Sequence, residues 1–90
     1  MPAAPQKVYQ VVLTRSAEKD LATLDTIMRR RVGQKLRSLA DYPRGTDTVK
    51  LSGENSYRTR VGNYRIVYEI EDMARIVTVN RIEHRRDVYR

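Results

Sequence analysis

The sequence predicts an α+β domain ordered β-α-α-β-β-β, in which a two-helix hairpin packs on one face of a small, mainly antiparallel four-stranded sheet. Two observations carry this prediction. Residues 57–70, YRTRVGNYRIVYEI, contain two runs of alternating polar and apolar residues on either side of Gly62 and Asn63, which tolerate the positive φ angles of tight hairpin turns. Upstream, apolar residues recur at helical spacing between residues 28 and 39.

The N-terminal part is interpreted as a strand followed by a short helix. Residues 1–6 contain two prolines and two alanines, and we expect a flexible leader there. Residues 7–14, KVYQVVLT, are rich in β-branched and aromatic residues, which favours a strand. Ser16 is the predicted N-cap of the first helix, since Glu18 and Asp20 follow in the first turn, where the helix dipole favours anions.

The second helix is predicted to begin at Asp25 or Thr26 and to end near Asp41, before Tyr42 and Pro43. An apolar stripe along it is expected to face the sheet, and it consists of Met28, Val32, Leu36 and Leu39. Basic residues lie largely off this stripe: Arg29, Arg30, Arg31, Lys35 and Arg37. They are interpreted as the solvated face of the helix.

The hairpin is predicted to divide its residues between two faces, because side chains alternate along a strand. Residues 46–56 are polar and are interpreted as a loop before it. In the second run, Ile66, Tyr68 and Ile70 share a face suited to the core, against Leu21, Leu24, Val32, Leu36 and Leu39. Arg58, Arg60 and Arg65 are expected to collect on the other face. Like charges grouped there cost stability unless an anion lies among them.

The last strand is predicted over residues 75–83, after a turn at residues 71–74. Strict alternation places Ile76 and Ile82 on one face and Val77 and Val79 on the other, which suits a strand covered partly on both sides. The tail, HRRDVYR, is too polar for the core and is interpreted as a turn or a single helical turn.

Length and composition limit the class of protein. Ninety residues make one domain, residues 1–90, and the net charge of +7 points to a polyanionic partner, either nucleic acid or an acidic protein. There is no cysteine, and no apolar run long enough to span a membrane, so a cytoplasmic protein without disulfides is expected. No phosphate-binding glycine loop, metal-ligand spacing or serine triad is present, and neither a metal nor a cofactor is predicted.

The residues that remain as candidates lie on or just after the predicted strands, and they are Arg58, Arg60, Arg65, Arg81, His84, Arg85, Arg86 and Tyr89. The arrangement YRTRVGNYRIVYEI, a short turn, then IVTVNRIEHRRDVYR resembles the RelE/ParE superfamily of toxin–antitoxin modules, and most closely its RelE-type messenger-RNA endonucleases. The likeness covers nearly the whole chain. It implies a toxin that acts on mRNA at the ribosome, inhibits translation, and is held inactive by a RelB-like antitoxin in a hetero-oligomer.

In such endonucleases the 2′-hydroxyl of the RNA attacks the adjacent phosphate, and the resemblance assigns roles on that basis. Arg65 would stabilise the phosphoryl transition state, because a guanidinium forks onto phosphate oxygens. The structural alternative for Arg65 is a salt bridge to Glu69. Arg58 and Arg60 stand where well-studied relatives carry lysine. Because arginine stays protonated and is a poor general acid or base, we assign both to phosphate binding.

The C-terminal segment supplies the remaining candidates. The resemblance implies that Arg85 and Tyr89 are catalytic. Tyr89 would stack on a base or orient the 2′-hydroxyl. The alternative role for Tyr89 is to pack the tail onto the sheet. His84 is the only histidine and is the candidate proton donor. Arg81 and Arg86 are predicted to bind RNA phosphates.

Other functions remain open from the sequence. A ParE-type toxin shares the resemblance but poisons DNA gyrase and needs no cleaving residues. A non-catalytic nucleic-acid-binding domain also accords with the charge. In a toxin that acts at the ribosome, the basic face of the second helix would bind ribosomal RNA.

Overall fold

The computed structural model describes residues 8–51 and 55–88, and within them it contains a five-stranded mixed sheet and three helices. The strand order is β1-β5-β4-β3-β2; β1 and β5 are parallel and the other pairs antiparallel. In chain order the elements are β1 (Gln10–Leu13), α1 (Arg15–Ala22), α2 (Thr26–Asp41), β2 (Thr48–Lys50), β3 (Ser56–Val61), β4 (Tyr64–Glu71), β5 (Ile76–His84) and α3 (Arg85–Val88). The predicted leader, residues 1–6, lies outside the described residues.

The sheet has one strand more than the four predicted, because part of the predicted loop at residues 46–56 is the short strand β2. Its three residues pair with β3, Thr48 opposite Thr59 and Lys50 opposite Tyr57. Thr48 and Val49 are β-branched and suit a strand, but a three-residue strand is too short to show a period. The rest of the α+β prediction is confirmed, including the single helical turn of the tail.

Both long helices begin at side-chain caps, and one differs from the prediction. Thr14, not Ser16, caps α1: its Oγ1 accepts a hydrogen bond from the amide of Ala17 at 3.2 Å. Both residue types are favoured N-caps, so the sequence does not separate them. Asp25 caps α2 as predicted, with Oδ1 2.8 Å from the amide of Met28.

The helices cover one face of the sheet, and the core lies between them. The predicted inner face is confirmed, since Ile66, Tyr68 and Ile70 are buried in one cluster with Leu24, Val32, Leu36 and Leu39, and Leu21 packs against that cluster. On β3, Tyr57, Thr59 and Val61 point into the same core. Each large apolar side chain buried there contributes about 1.5–3 kcal/mol, which fixes the direction in which the strands face.

A β-bulge in β5 overturns the predicted placement of Ile82. Tyr68 lies opposite Val79, whereas Val67 lies opposite Arg81, so Asn80 is an extra residue and shifts the alternation. Ile82 therefore pairs with Ile66 and is buried on the helix side, the same face as Val77 and Val79. Strict alternation had placed it on the opposite face.

Beyond the bulge, β5 extends past the end of β1, and side chains of the first helix replace the missing strand. Thr14 donates from Oγ1 to the carbonyl of Asn80 at 3.0 Å. Asp20 accepts a hydrogen bond from the amide of Ile82 at 2.9 Å. Two backbone groups at this edge of β5 are thus satisfied by α1 and its cap.

At the opposite end of the sheet, Arg44 joins three separate segments. Its guanidinium forms two hydrogen bonds to Asp72, at 2.9 and 3.0 Å, and Nε donates to the hydroxyl of Tyr57 at 3.1 Å. Tyr9 also donates to Asp72, at 2.7 Å. The hydrogen bonds from Arg44, and to a smaller extent the one from Tyr9, lower the pKa of Asp72 from 3.8 to about 2.

Candidate functional site

The site is built on the sheet face that α1 and α2 leave uncovered. There Arg60 on β3 lies directly opposite Arg65 on β4, and Arg65 lies opposite Glu83 on β5. Arg58, two residues before Arg60, shares the face and lies opposite Val67. This confirms the prediction that Arg58, Arg60 and Arg65 lie together on the sheet face away from the helices.

None of these three arginines is neutralised by a carboxylate of the described residues, since none lies within 4.0 Å of Arg58, Arg60 or Arg65. In particular, the alternative salt bridge between Arg65 and Glu69 does not form. Arg60 is exposed, while Arg58 and Arg65 are half-buried. The guanidinium groups are therefore held on rigid strands with their charges uncompensated.

The three arginines line one groove, which also holds a carboxylate. This outer groove has a volume of about 290 Å³ and is lined by Asp47, Val49, Arg58, Thr59, Arg60 and Arg65. Among these described residues Asp47 is the one acid. Its place follows from the strand register: because Thr48 lies opposite Thr59, continuing the antiparallel pairing brings Asp47 beside Arg60.

Asp47 forms an ion pair with Lys35 of α2, which fixes its carboxylate at the edge of the outer groove. The hydrogen bond from the Lys35 ammonium holds the pKa of Asp47 below its ordinary value, so the carboxylate is ionised at neutral pH. The sequence interpretation missed Asp47. The available signal was the β-branched pair that follows it, which marks β2.

The described C-terminal candidates, Arg85 and Arg86, follow β5 at the turn end of the hairpin, where Arg60 and Arg65 also lie. The amide of Arg85 donates to the carbonyl of Asn63 at 2.7 Å, so α3 begins beside the β3–β4 turn. The side chains of Arg85 and Arg86 are exposed. Neither belongs to the lining of the outer groove. Tyr89 lies outside the described residues.

His84 is placed on the face opposite Arg65, because it pairs with Tyr64, the neighbour of Arg65 on β4. Its ring meets Tyr64 edge-on, with centroids 5.0 Å apart. Nδ1 accepts a hydrogen bond from the amide of Arg86 at 3.0 Å, so the neutral imidazole carries its proton on Nε2. The structure therefore does not bring His84 into the outer groove.

Arg81 occupies the edge of β5, away from the outer groove. Its Nε lies 2.9 Å from Oδ2 of Asp20, the atom that also accepts from the amide of Ile82. Its charge is thus already paired with a carboxylate, in contrast to Arg58, Arg60 and Arg65.

Chemically, the outer groove suits a phosphodiester. Three fixed guanidinium groups supply forked donors for non-bridging phosphate oxygens. The carboxylate of Asp47 can accept a proton, as a weak base because its hydrogen bond with Lys35 lowers its pKa.

Comparison with known proteins agrees with this fold. Residues 11–89 match the family model described as the ParE toxin of the type II toxin–antitoxin system parDE. Among solved structures, the toxin–antitoxin complex RelBE2 of Mycobacterium tuberculosis matches at 26% identity and a TM-score of 0.79, covering 91% of this chain and 97% of that chain. A search of curated proteins found no match.

Two further structures extend the likeness. The RelE–RelB complex of Pyrococcus horikoshii OT3 matches at 25% identity and a TM-score of 0.78, over 87% of this chain and 96% of that chain. The isolated RelE toxin of E. coli matches at 25% identity and a TM-score of 0.75, over 84% and 83%.

The fold and the family match define a toxin of the RelE/ParE superfamily, as the resemblance predicted. The chain belongs to the ParE toxin family of type II toxin–antitoxin systems. Within the described residues, no helix is long and apolar enough to cross a membrane.

Proposed function

We propose that this toxin is a metal-independent, ribosome-dependent mRNA endonuclease that inhibits translation. The observation that supports this proposal is the outer groove, where Arg58, Arg60 and Arg65 lie together with uncompensated charge beside an ionised carboxylate. A phosphodiester in the groove would receive charge stabilisation from groups already fixed in place, which is the largest contribution in many enzymes.

The reaction transfers the phosphoryl group within the RNA. The 2′-oxygen attacks the adjacent phosphorus, the bond to the 5′-oxygen breaks, and the products are a 2′,3′-cyclic phosphate and a 5′-hydroxyl. Arg65, centrally placed between Arg60 and Glu83, stabilises the charge on the non-bridging oxygens. Arg58 and Arg60 hold the phosphate. Asp47 takes the proton of the 2′-hydroxyl, a role that an arginine does not fill.

The departing 5′-oxygen requires a proton, and the C-terminal segment is the proposed source. His84 lies on the opposite face of the sheet, so it would reach this oxygen only after the segment rearranges and the hydrogen bond from the Arg86 amide to Nδ1 opens. Arg85 and Tyr89 remain proposed catalytic residues, and Arg81 and Arg86 proposed phosphate contacts. For Arg81, binding RNA would compete with its ion pair to Asp20.

The proposed protein partner is a RelB-like antitoxin. The similar RelE toxins of M. tuberculosis and P. horikoshii were solved in complex with their antitoxins. An acidic, amphipathic antitoxin segment would cover the cationic outer groove or displace the C-terminal tail. A separate apolar part of the antitoxin would pack in the groove of about 390 Å³ between β1 and α2, which is lined by Val11, Leu13, Gly33, Leu36, Arg37 and Ala40. If hydrogen exchange shows that the cationic outer groove and the C-terminal tail both stay unprotected in a tight complex, this mode of antitoxin binding is refuted.

The test of the activity uses the purified chain with translating ribosomes and a defined message. Primer extension should find discrete new 5′ ends near the ribosomal A site, and the upstream fragments should end in a 2′,3′-cyclic phosphate. A 5′-phosphate with a free 3′-hydroxyl would mean that water is the nucleophile, and it would overturn the roles given to Asp47 and Arg65.

The alternative is poisoning of DNA gyrase, which the match to the ParE family model favours. A gyrase poison needs no groove of arginines and no base. Intact message together with inhibited supercoiling by gyrase would select this alternative.

A further inference from the structure

A second cationic cleft lies on the other side of Arg60, between α2 and the β3–β4 turn. This α2 cleft has a volume of about 370 Å³, and its polar lining consists of Arg31, Gln34, Lys35, Ser38 and Arg60. No acidic residue belongs to its described lining. Arg60 lines both this cleft and the outer groove, so the two adjoin at this residue.

The local fold explains why the cleft exists. Positions 31, 34, 35 and 38 share one helix face, since residues three and four apart are neighbours. β2 pairs with β3 only over Tyr57–Thr59, which leaves the edge of Arg60 and Val61 uncovered by that strand. Gly62, at a φ of 58°, lets the turn approach α2: an added Cβ would lie 3.2 Å from Nη1 of Arg31.

The charges of the cleft are suited to an anion. Arg31 has no carboxylate of the described residues within 4.0 Å. Lys35 gives one hydrogen bond to Asp47, and an ammonium has three donors. Two of the lining cations, Arg31 and Arg60, therefore face the cleft without a counter-charge from the described residues.

We propose that the α2 cleft binds a neighbouring phosphate of the same single RNA strand whose scissile phosphate occupies the outer groove. The inference rests on the proposed endonuclease function. Arg60 lies between the two phosphates and contacts both, while Arg31 and Lys35 hold the phosphate in the cleft. The ion pair of Lys35 with Asp47 then ties the phosphate-binding helix to the proposed base.

The test measures binding of 2′-O-methyl RNA, which lacks the attacking hydroxyl and is not cleaved. Fluorescence anisotropy compares a dinucleotide, whose single phosphate can occupy only one of the two sites, with an oligomer of about 12 nucleotides. Arg31→Ala should weaken binding of the longer RNA about 5- to 10-fold and reduce its salt-dependence slope by about 0.7, while changing dinucleotide binding less than about twofold. Arg30→Ala is the matched control, because it removes an exposed charge from the same helix outside the cleft.

Equal effects of Arg31→Ala and Arg30→Ala, or equal binding of the two RNA lengths, would overturn the inference. A duplex DNA that competes as well as the longer RNA would overturn the assignment to a single RNA strand. Arg65→Ala separates the two proposals: if it leaves dinucleotide binding unchanged, the outer groove is not the RNA site, whereas the Arg31 comparison still decides the cleft. Thermal unfolding of each variant checks that the fold is retained.

Discussion

Arg60 and Arg65 face each other across neighbouring strands, on a surface where no carboxylate of the described residues lies within 4.0 Å of either. Like charges directly opposite in a sheet destabilise it. A surface selected only for stability would separate them or place an acid between them. We expect the polyanionic ligand of the proposed function to neutralise both charges.

The cost of this pair is measurable. Arg60→Gln should raise the free energy of unfolding by about 0.2–1 kcal/mol, because it removes the cross-strand repulsion while keeping a long polar side chain. Urea unfolding at low and high salt checks this, and the gain should shrink as salt screens the charges. Arg30→Gln, on an exposed helix face, is the control. A loss of stability in Arg60→Gln would contradict the repulsion.

Arg65 is the proposed source of transition-state stabilisation. Arg65→Ala should reduce mRNA cleavage on ribosomes by about 100- to 1000-fold, the usual loss for one preorganised donor. Arg65→Lys should recover only part, since an ammonium keeps the charge but loses the fork. Arg58→Lys and Arg60→Lys should be milder, because their role needs charge more than geometry. Equal activity of Arg65→Ala and the native chain would exclude the role.

Asp47 is the proposed general base. Asp47→Asn should lower the cleavage rate by about 100- to 10,000-fold, as expected when a positioned base is lost. Asp47→Glu should retain more activity, because it restores a carboxylate near the same place. Glu69→Gln removes an acid from the same sheet face outside the groove and should cleave normally. Comparable rates for Asp47→Asn and Glu69→Gln would assign the proton transfer elsewhere.

The bulge in β5 makes a prediction about the core. Ile82 is buried beside Ile66, so Ile82→Ala should cost about 2–5 kcal/mol of stability. Ile76→Ala should cost clearly less stability, because Ile76 lies on the other face and is only half-buried. Denaturant unfolding of the two variants measures the difference. A larger loss of stability for Ile76→Ala than for Ile82→Ala would contradict the position of the bulge.

The Arg44 cluster predicts a response to acid. The pKa of Asp72 is lowered to about 2, so its contribution to stability is complete above pH ~4 and is lost as the pH falls towards 2. Asp72→Asn should therefore be less stable at neutral pH and lose less stability across this window. Unfolding curves at several pH values test this against Glu71→Gln, an exposed neighbour outside the cluster. Parallel pH profiles for Asp72→Asn and the native chain would refute it.

The sequence predicts what depends on regular periodicity. Two-residue alternation on either side of Gly62 places Arg58, Arg60 and Arg65 on one face, and burial of Ile66 and Ile70 fixes which face it is. Prediction fails where one residue interrupts the period. Asn80 shifts the alternation of β5, and a bulge of this kind leaves no mark in composition.

The site was predictable only in part, for a related reason. The register of a strand determines where the arginines within it lie. Asp47, in contrast, is positioned by the short strand β2 and by its partner Lys35, which lies 12 residues earlier. His84 shows the converse: it neighbours the basic residues in sequence, yet its pairing with Tyr64 turns it to the opposite face. Proximity along the chain did not translate into proximity in space.

The side chains that close the edge of β5 have a consequence for association between molecules. An uncovered strand edge offers unpaired amides and carbonyls on which a second copy adds a strand, and such addition leads to aggregation. Here the amide of Ile82 is occupied by the carboxylate of Asp20 and the carbonyl of Asn80 by the hydroxyl of Thr14. An incoming strand would have to displace a charged group at these positions, which disfavours strand addition at this edge even though β1 stops short of covering it.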